Sequence, residues 1–228
     1  QPTRRRMVGP YSDGQQKRRS RVLLLLAPFA VGYFLSYFSR TLNAVVAPRL
    51  ADDLALGPES LGWMTAAYFL GFALFQVPLG ILLDRFGPAR VQSVLLLVAG
   101  SGAALFAIAD GLVLLTVARA TIGVGVSGAL MSAFMMIARL FEPQRRAFAN
   151  GCFLIFGGLG ALAATSPLEW LLSEIHWRSL FLALAAGAVV VALALFLVRR
   201  LEAPTGRPTQ AASPTRAMRN RPANSSRV

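Results

Sequence analysis

Three side chains early in the chain have types and spacing suited to gripping an anion. Within GYFLSYFSRTLNAVVAP, residues 32–48, Tyr33, Tyr37 and Arg40 recur at i, i+4 and i+7, so on a helix they share one face. A guanidinium flanked by phenols can hold a carboxylate or phosphate through paired N–H donors. The competing reading of Arg40 is a helix-end arginine whose head reaches the lipid headgroups. Arg119 is a second arginine set in an apolar run. A charge so placed costs about 2.5–3.5 kcal/mol on insertion scales, which makes both arginines site candidates. Tyr68, Phe72 and Gln76 are spaced by four, and Gln76 is the polar member, suited to a solute or to a bond with a neighbouring helix. His176 is the only histidine and reads as a surface residue.

Other chemistries find no support. The single cysteine, Cys152, forms no internal disulfide, and no Cys/His cluster has metal-ligand spacing. The acidic residues are too scattered for an acid/base pair, and no glycine-rich phosphate loop follows a strand. Neither an enzyme, a metal nor a cofactor is expected.

The elements that would position these residues are apolar runs at 22–48, 61–83, 91–109, 112–137, 148–168 and 179–198. Each is close to the length a helix needs to cross about 30 Å of hydrocarbon. Only 14% of residues are charged and 55% are hydrophobic, whereas a soluble domain carries about a quarter charged. The expected fold is an all-α integral membrane protein with six transmembrane helices. The first run is a retained helix, since no small-residue cleavage site closes it and five more spans follow; Met7 is the expected natural start. Residues 1–21 and 201–228 are polar, arginine-rich and expected to be disordered cytoplasmic tails.

The net charge of +13 belongs to topology. Basic residues crowd the amino-terminal tail, the second connection (Arg85, Arg90), the fourth (Arg139, Arg145, Arg146) and the carboxyl end, leaving only Arg49 and Arg178 on the opposite side. By the positive-inside rule both termini are cytoplasmic. Membrane lipid is therefore an expected partner and nucleic acid is not.

The second connection, GILLDRFGPAR from Gly80 to Arg90, resembles the signature between helices two and three of the major facilitator superfamily, with Gly80, Asp84, Arg85 and Gly87 in matching positions. Pro88 and Ala89 stand where that pattern has a basic pair, and Arg90 supplies one charge nearby. Leu114–Ala129 is similar to the family's fourth-helix motif through Arg119, Gly123 and Gly125, and His176–Phe181 resembles its Trp-Arg-x-x-Phe entry to helix six. The first helix resembles those of organophosphate:phosphate antiporters and anion:cation symporters. The resemblance implies a bundle of two inverted three-helix repeats, the amino-terminal half of a twelve-span carrier whose solute binds between halves. It implies secondary transport of a small anion by alternating access, in a plasma membrane such as the bacterial inner membrane. Arg40 would be the ligand, Tyr33, Tyr37, Arg119 and Gln76 would line the site, and Gly80, Asp84, Arg85, Gly87 and Arg90 would form a cytoplasmic gate. Partners would be the solute and a second six-helix half or a second copy. The alternatives are a non-transporting sensor or scaffold, and a multidrug efflux carrier, which would want a membrane-embedded carboxylate. The glycines at 123, 125, 128, 157, 158 and 160 are expected at close helix contacts.

Overall fold

In hydrocarbon every backbone N–H must find its partner within the segment, so apolar runs of this length become helices. The computed structural model describes residues 11–199, with side chains from Val22 onward except Val198. It shows eight helices among the described residues and no strand: α1 Tyr11–Leu54, α2 Pro58–Phe86, α3 Pro88–Ala107, α4 Leu112–Val126, α5 Ala129–Leu140, α6 Pro143–Ala163, α7 Ser166–Glu174 and α8 Trp177–Arg199. Six stretches are long and apolar enough to span a membrane: Val22–Leu54 within α1, α2, α3, α4 with α5, α6, and Trp177–Leu197 within α8.

The boundaries depart from the sequence reading in four places. Residues 11–21, expected as unfolded tail, extend α1 backwards, because Gln, Lys and Arg are good helix formers and adding turns to an existing helix is cheap. The expected tail at 201–228 lies outside the described residues. At its other end α1 runs past Pro48 to Leu54, a continuation that membrane helices tolerate. The fourth span breaks after Val126, at Ser127 and Gly128. The fifth ends at Ala163, and Pro167, expected near its end, instead occupies the first turn of the short helix α7, where its missing N–H costs nothing. Between α2 and α3 the turn consists of Gly87 alone, at φ 81, a left-handed conformation that glycine adopts without strain.

The packing has an internal exchange symmetry. Span three packs most extensively on span six; span two pairs with span four as span one pairs with span five, and span three meets span four as span one meets span six. Swapping one with four, two with five and three with six preserves this pattern, as inverted three-helix repeats require. Small residues permit the approaches. A methyl group on Gly123 would collide with the Tyr68 carbonyl, on Gly125 with the Ala99 backbone, and on Gly160 with the Phe34 backbone, whereas Gly158 faces open space.

The ends of spans one, three and six remote from the Gly87 turn are clasped together. One oxygen of Asp53 accepts from Trp177 Nε1 at 2.6 Å and lies 3.1 Å from His176 Nε2. The backbone N–H of Arg178 donates to His176 Nδ1, which leaves Nε2 as the protonated nitrogen that faces Asp53. Arg178 in turn donates to the Ala107 carbonyl and to Asp110. Trp177 is buried against Phe106 and Phe181, and His176 is half-exposed at the surface.

Candidate functional site

Arg40 lies on span one with its guanidinium carbon 5.1 Å from the ring centre of Tyr37, 5.0 Å from Phe72 and 5.8 Å from Phe69. Distances below about 6 Å over a ring face are attractive for a cation. The side chain is only partly buried, its Nε has no partner, and no carboxylate pairs with it among the described residues. The result is a cation held by aromatic faces rather than by an opposite charge, with N–H donors still to be satisfied. Phe69, 45% exposed, was not singled out by sequence. Its signal was there in the spacing: it stands three residues before Phe72, on the same side of α2.

The two phenols of the predicted face part company. Tyr37 stacks on Arg40, while Tyr33 is buried and turned towards span five, its ring against Phe153 at 5.3 Å and Tyr37 at 5.1 Å. Gly157 makes room for it, since a methyl there would strike the Tyr33 ring. Tyr33 thus supports Tyr37 instead of flanking the guanidinium.

Arg119 is 1% exposed, inside the bundle. It reaches the Ser39 carbonyl at 3.4 Å and sits 5.0 Å over the ring of Tyr68, itself buried with its hydroxyl unpartnered. Arg119 is thus enclosed by the bundle, whereas Arg40 is partly exposed. Gln76 is spoken for: its Nε2 donates to the Ser127 carbonyl at 3.3 Å, and Ser36 Oγ donates to Val126 O at 3.3 Å. These two side chains, from spans two and one, satisfy carbonyls released where α4 gives way to α5. Sequence spacing exposed the polarity of Gln76, but the break it serves carries no proline and is visible only in the fold.

The residues expected to form a gate gather at one end of α2 and α3. A methyl group on Gly80 would meet nothing, and the residue lies on an exposed face with Val77 and Ile81. Asp84 is exposed and accepts no hydrogen bond from a described residue. Arg85 and Arg90 both stack on Phe86, at 5.2 and 5.7 Å, and the Arg139 guanidinium lies beside Gly87. The motif therefore presents its carboxylate outward from this bundle.

A six-span helical bundle made of two exchanged three-helix units, with a partly exposed arginine that pairs with no carboxylate among the described residues, defines a class of polytopic membrane protein. The chain belongs to the Major Facilitator Superfamily, whose sequence model matches residues 29–225. It is 28% identical over 163 residues to a protein of Cupriavidus necator named "Probable sulfoacetate transporter", matching 72% of this chain and 38% of that one. It is 31% identical to an uncharacterized transporter of Bacillus subtilis, over 75% of this chain and 39% of that one. A multidrug resistance protein of Mycobacterium tuberculosis matches at 26% identity, over 79% of this chain and 34% of that one. Among solved structures, a bacterial homolog of the human lysosomal transporter Spinster, inward-facing and occupied, superimposes with TM-score 0.66 at 25% identity, covering 79% of this chain and 44% of that one. A proton:xylose symporter shares the fold, with TM-score 0.63 at 16% identity, over 79% of this chain and 45% of that one. The chain thus spans less than half the length of the relatives it matches.

Proposed function

We propose that these six helices form one half of a secondary carrier for a small anion, working by alternating access, with Arg40 as the ligand of the solute's negative group. The observation that carries this reading is the partly exposed Arg40, its guanidinium framed by Tyr37, Phe69 and Phe72 and without a carboxylate partner among the described residues. An aromatic frame orients the guanidinium without neutralising it, which leaves its charge for an incoming carboxylate, sulfonate or phosphate. The name of the Cupriavidus necator relative is in keeping with an organic anion. The outward-facing Asp84 and the apolar faces of α2 and α6 are the surfaces a second six-helix bundle would cover, and the basic connections favour a topology with both termini in the cytoplasm of a plasma membrane.

Arg40→Lys tests the assignment in the assembled carrier, because lysine keeps the charge and loses the fork. Loss of a charge-assisted bond worth about 1.5–3 kcal/mol lowers anion uptake by roughly ten- to a hundredfold at unchanged expression. Unchanged uptake would remove Arg40 from the site. A second reading, efflux of apolar drugs, is favoured by the name of the Mycobacterium tuberculosis relative; the same substitution separates the two, since drug resistance that survives Arg40→Lys favours efflux.

A further inference from the structure

The interior of the bundle holds a second feature, apart from the Arg40 face. A chamber of about 20 Å³ lies between spans one, three, four and six, with room for a single small occupant. Ser39, Leu96, Ala99, Phe181 and Leu184 line it, and Arg119 is the one charged side chain in its wall. Arg119 is 1% exposed, its Nε has no partner, and its contact with the Ser39 carbonyl is long at 3.4 Å. No carboxylate lies nearby among the described residues: Asp52, Asp53, Glu59, Asp84, Asp110 and Glu142 stand at or near the ends of spans, and the exposed Glu169 and Glu174 belong to the short helix α7. Arginine keeps its proton in such a place, and a buried charge is tolerated only when an opposite charge and a full set of hydrogen bonds meet it.

We infer that the Arg119 chamber is a binding site for a small monovalent anion of chloride size. The anion accepts from the free guanidinium N–H groups and rests against the apolar walls supplied by spans three and six. Water fits the space but leaves the charge uncompensated, and an organic carboxylate is too large for it. The site is structural: it ties span four to spans one, three and six and does not require that Arg40 bind a solute.

The test is thermal melting of the purified 228-residue chain in chloride, bromide or gluconate at constant ionic strength. The expected result is a midpoint that climbs with halide concentration, by about 5 °C or more at a hundredfold excess over the dissociation constant, and is flat in gluconate. Arg119→Gln abolishes the halide response and Arg40→Gln keeps it. Equal midpoints in all three salts, or a response lost with Arg40→Gln and kept with Arg119→Gln, overturns the proposal. Should Arg119→Gln fail to fold, anomalous scattering from bromide in crystals of the unaltered chain decides: a peak among spans one, three, four and six supports the site, and its absence there refutes it.

Discussion

At Asp53 one carboxylate oxygen faces two nitrogens, Trp177 Nε1 and His176 Nε2, and so joins the end of α1 to the start of α8. The indole is buried while the carboxylate is 44% exposed, so solvent screens the pair and its net worth is small. Asp53→Asn keeps an acceptor and removes the charge; it should lower stability by about 1 kcal/mol, read as a drop of roughly 2–4 °C in melting midpoint. Asp110→Asn is the contrast. Its partner Arg178 also holds the Ala107 carbonyl, and Asp110 is 83% exposed, so the change should stay within about 0.5 kcal/mol. Equal losses at the two positions would contradict this account of the clasp. The residue scale also separates Arg40 from Arg119. The sequence marks both as arginines in apolar runs, and only helix packing leaves Arg40 partly exposed and buries Arg119 over the ring of Tyr68.

Among the elements, the interrupted fourth span is the one held by side chains rather than by its own ladder. Ser36 and Gln76 take the carbonyls of Val126 and Ser127. Gln76→Leu leaves the Ser127 carbonyl unpaired in a membrane interior, and an orphaned buried acceptor costs about 1–3 kcal/mol. The expected outcome is a lower melting midpoint, with a further loss when Ser36→Ala is added. A Gln76→Leu chain as stable as its parent would return Gln76 to the pool of solute ligands. One turn before the break, Gly123 lies on the backbone of Tyr68, so Gly123→Ala must push span four away from span two. Overpacking of this kind costs about 1–3 kcal/mol, whereas Gly158→Ala, facing open space, should be silent in the same assay. The glycine-rich character of spans four and five was legible in the sequence. Which glycines touch a neighbour was not, because that depends on the rotation of each helix about its axis.

Across the whole molecule the apolar surface is uneven. α2 exposes Trp63, Leu70, Leu74, Val77 and Ile81, and α6 exposes Phe148, Leu154, Ile155, Leu159 and Leu162. These two helices are related by the internal exchange, which makes them a matched pair of faces available to lipid or to a second bundle. A carrier that binds solute between two bundles leaves one wall of its site open when only one is present. The 228-residue chain reconstituted by itself should therefore give no saturable anion uptake into liposomes; clear uptake would show that these six helices suffice. Orientation is tested separately. A cysteine placed after Arg199, in a Cys152→Ser background, should react with an impermeant maleimide in inside-out vesicles and resist it in right-side-out ones.

The sequence alone determined that the chain crosses the membrane six times as helices, because the length of an apolar run and the need to satisfy every backbone group in hydrocarbon leave no alternative. It also carried the motifs of the superfamily, since these are short, local and ordered along the chain. Tertiary structure decided which way each candidate points: Tyr33 towards span five, Arg119 into the bundle interior, Gln76 onto a broken helix, Gly80 and Asp84 away from the bundle. Helical periodicity assigns residues to a common face, but an apolar helix carries no polar side to mark which face that is. Only the packing of neighbouring helices sets its rotation, and with it the partly exposed position of Arg40 and the buried one of Arg119.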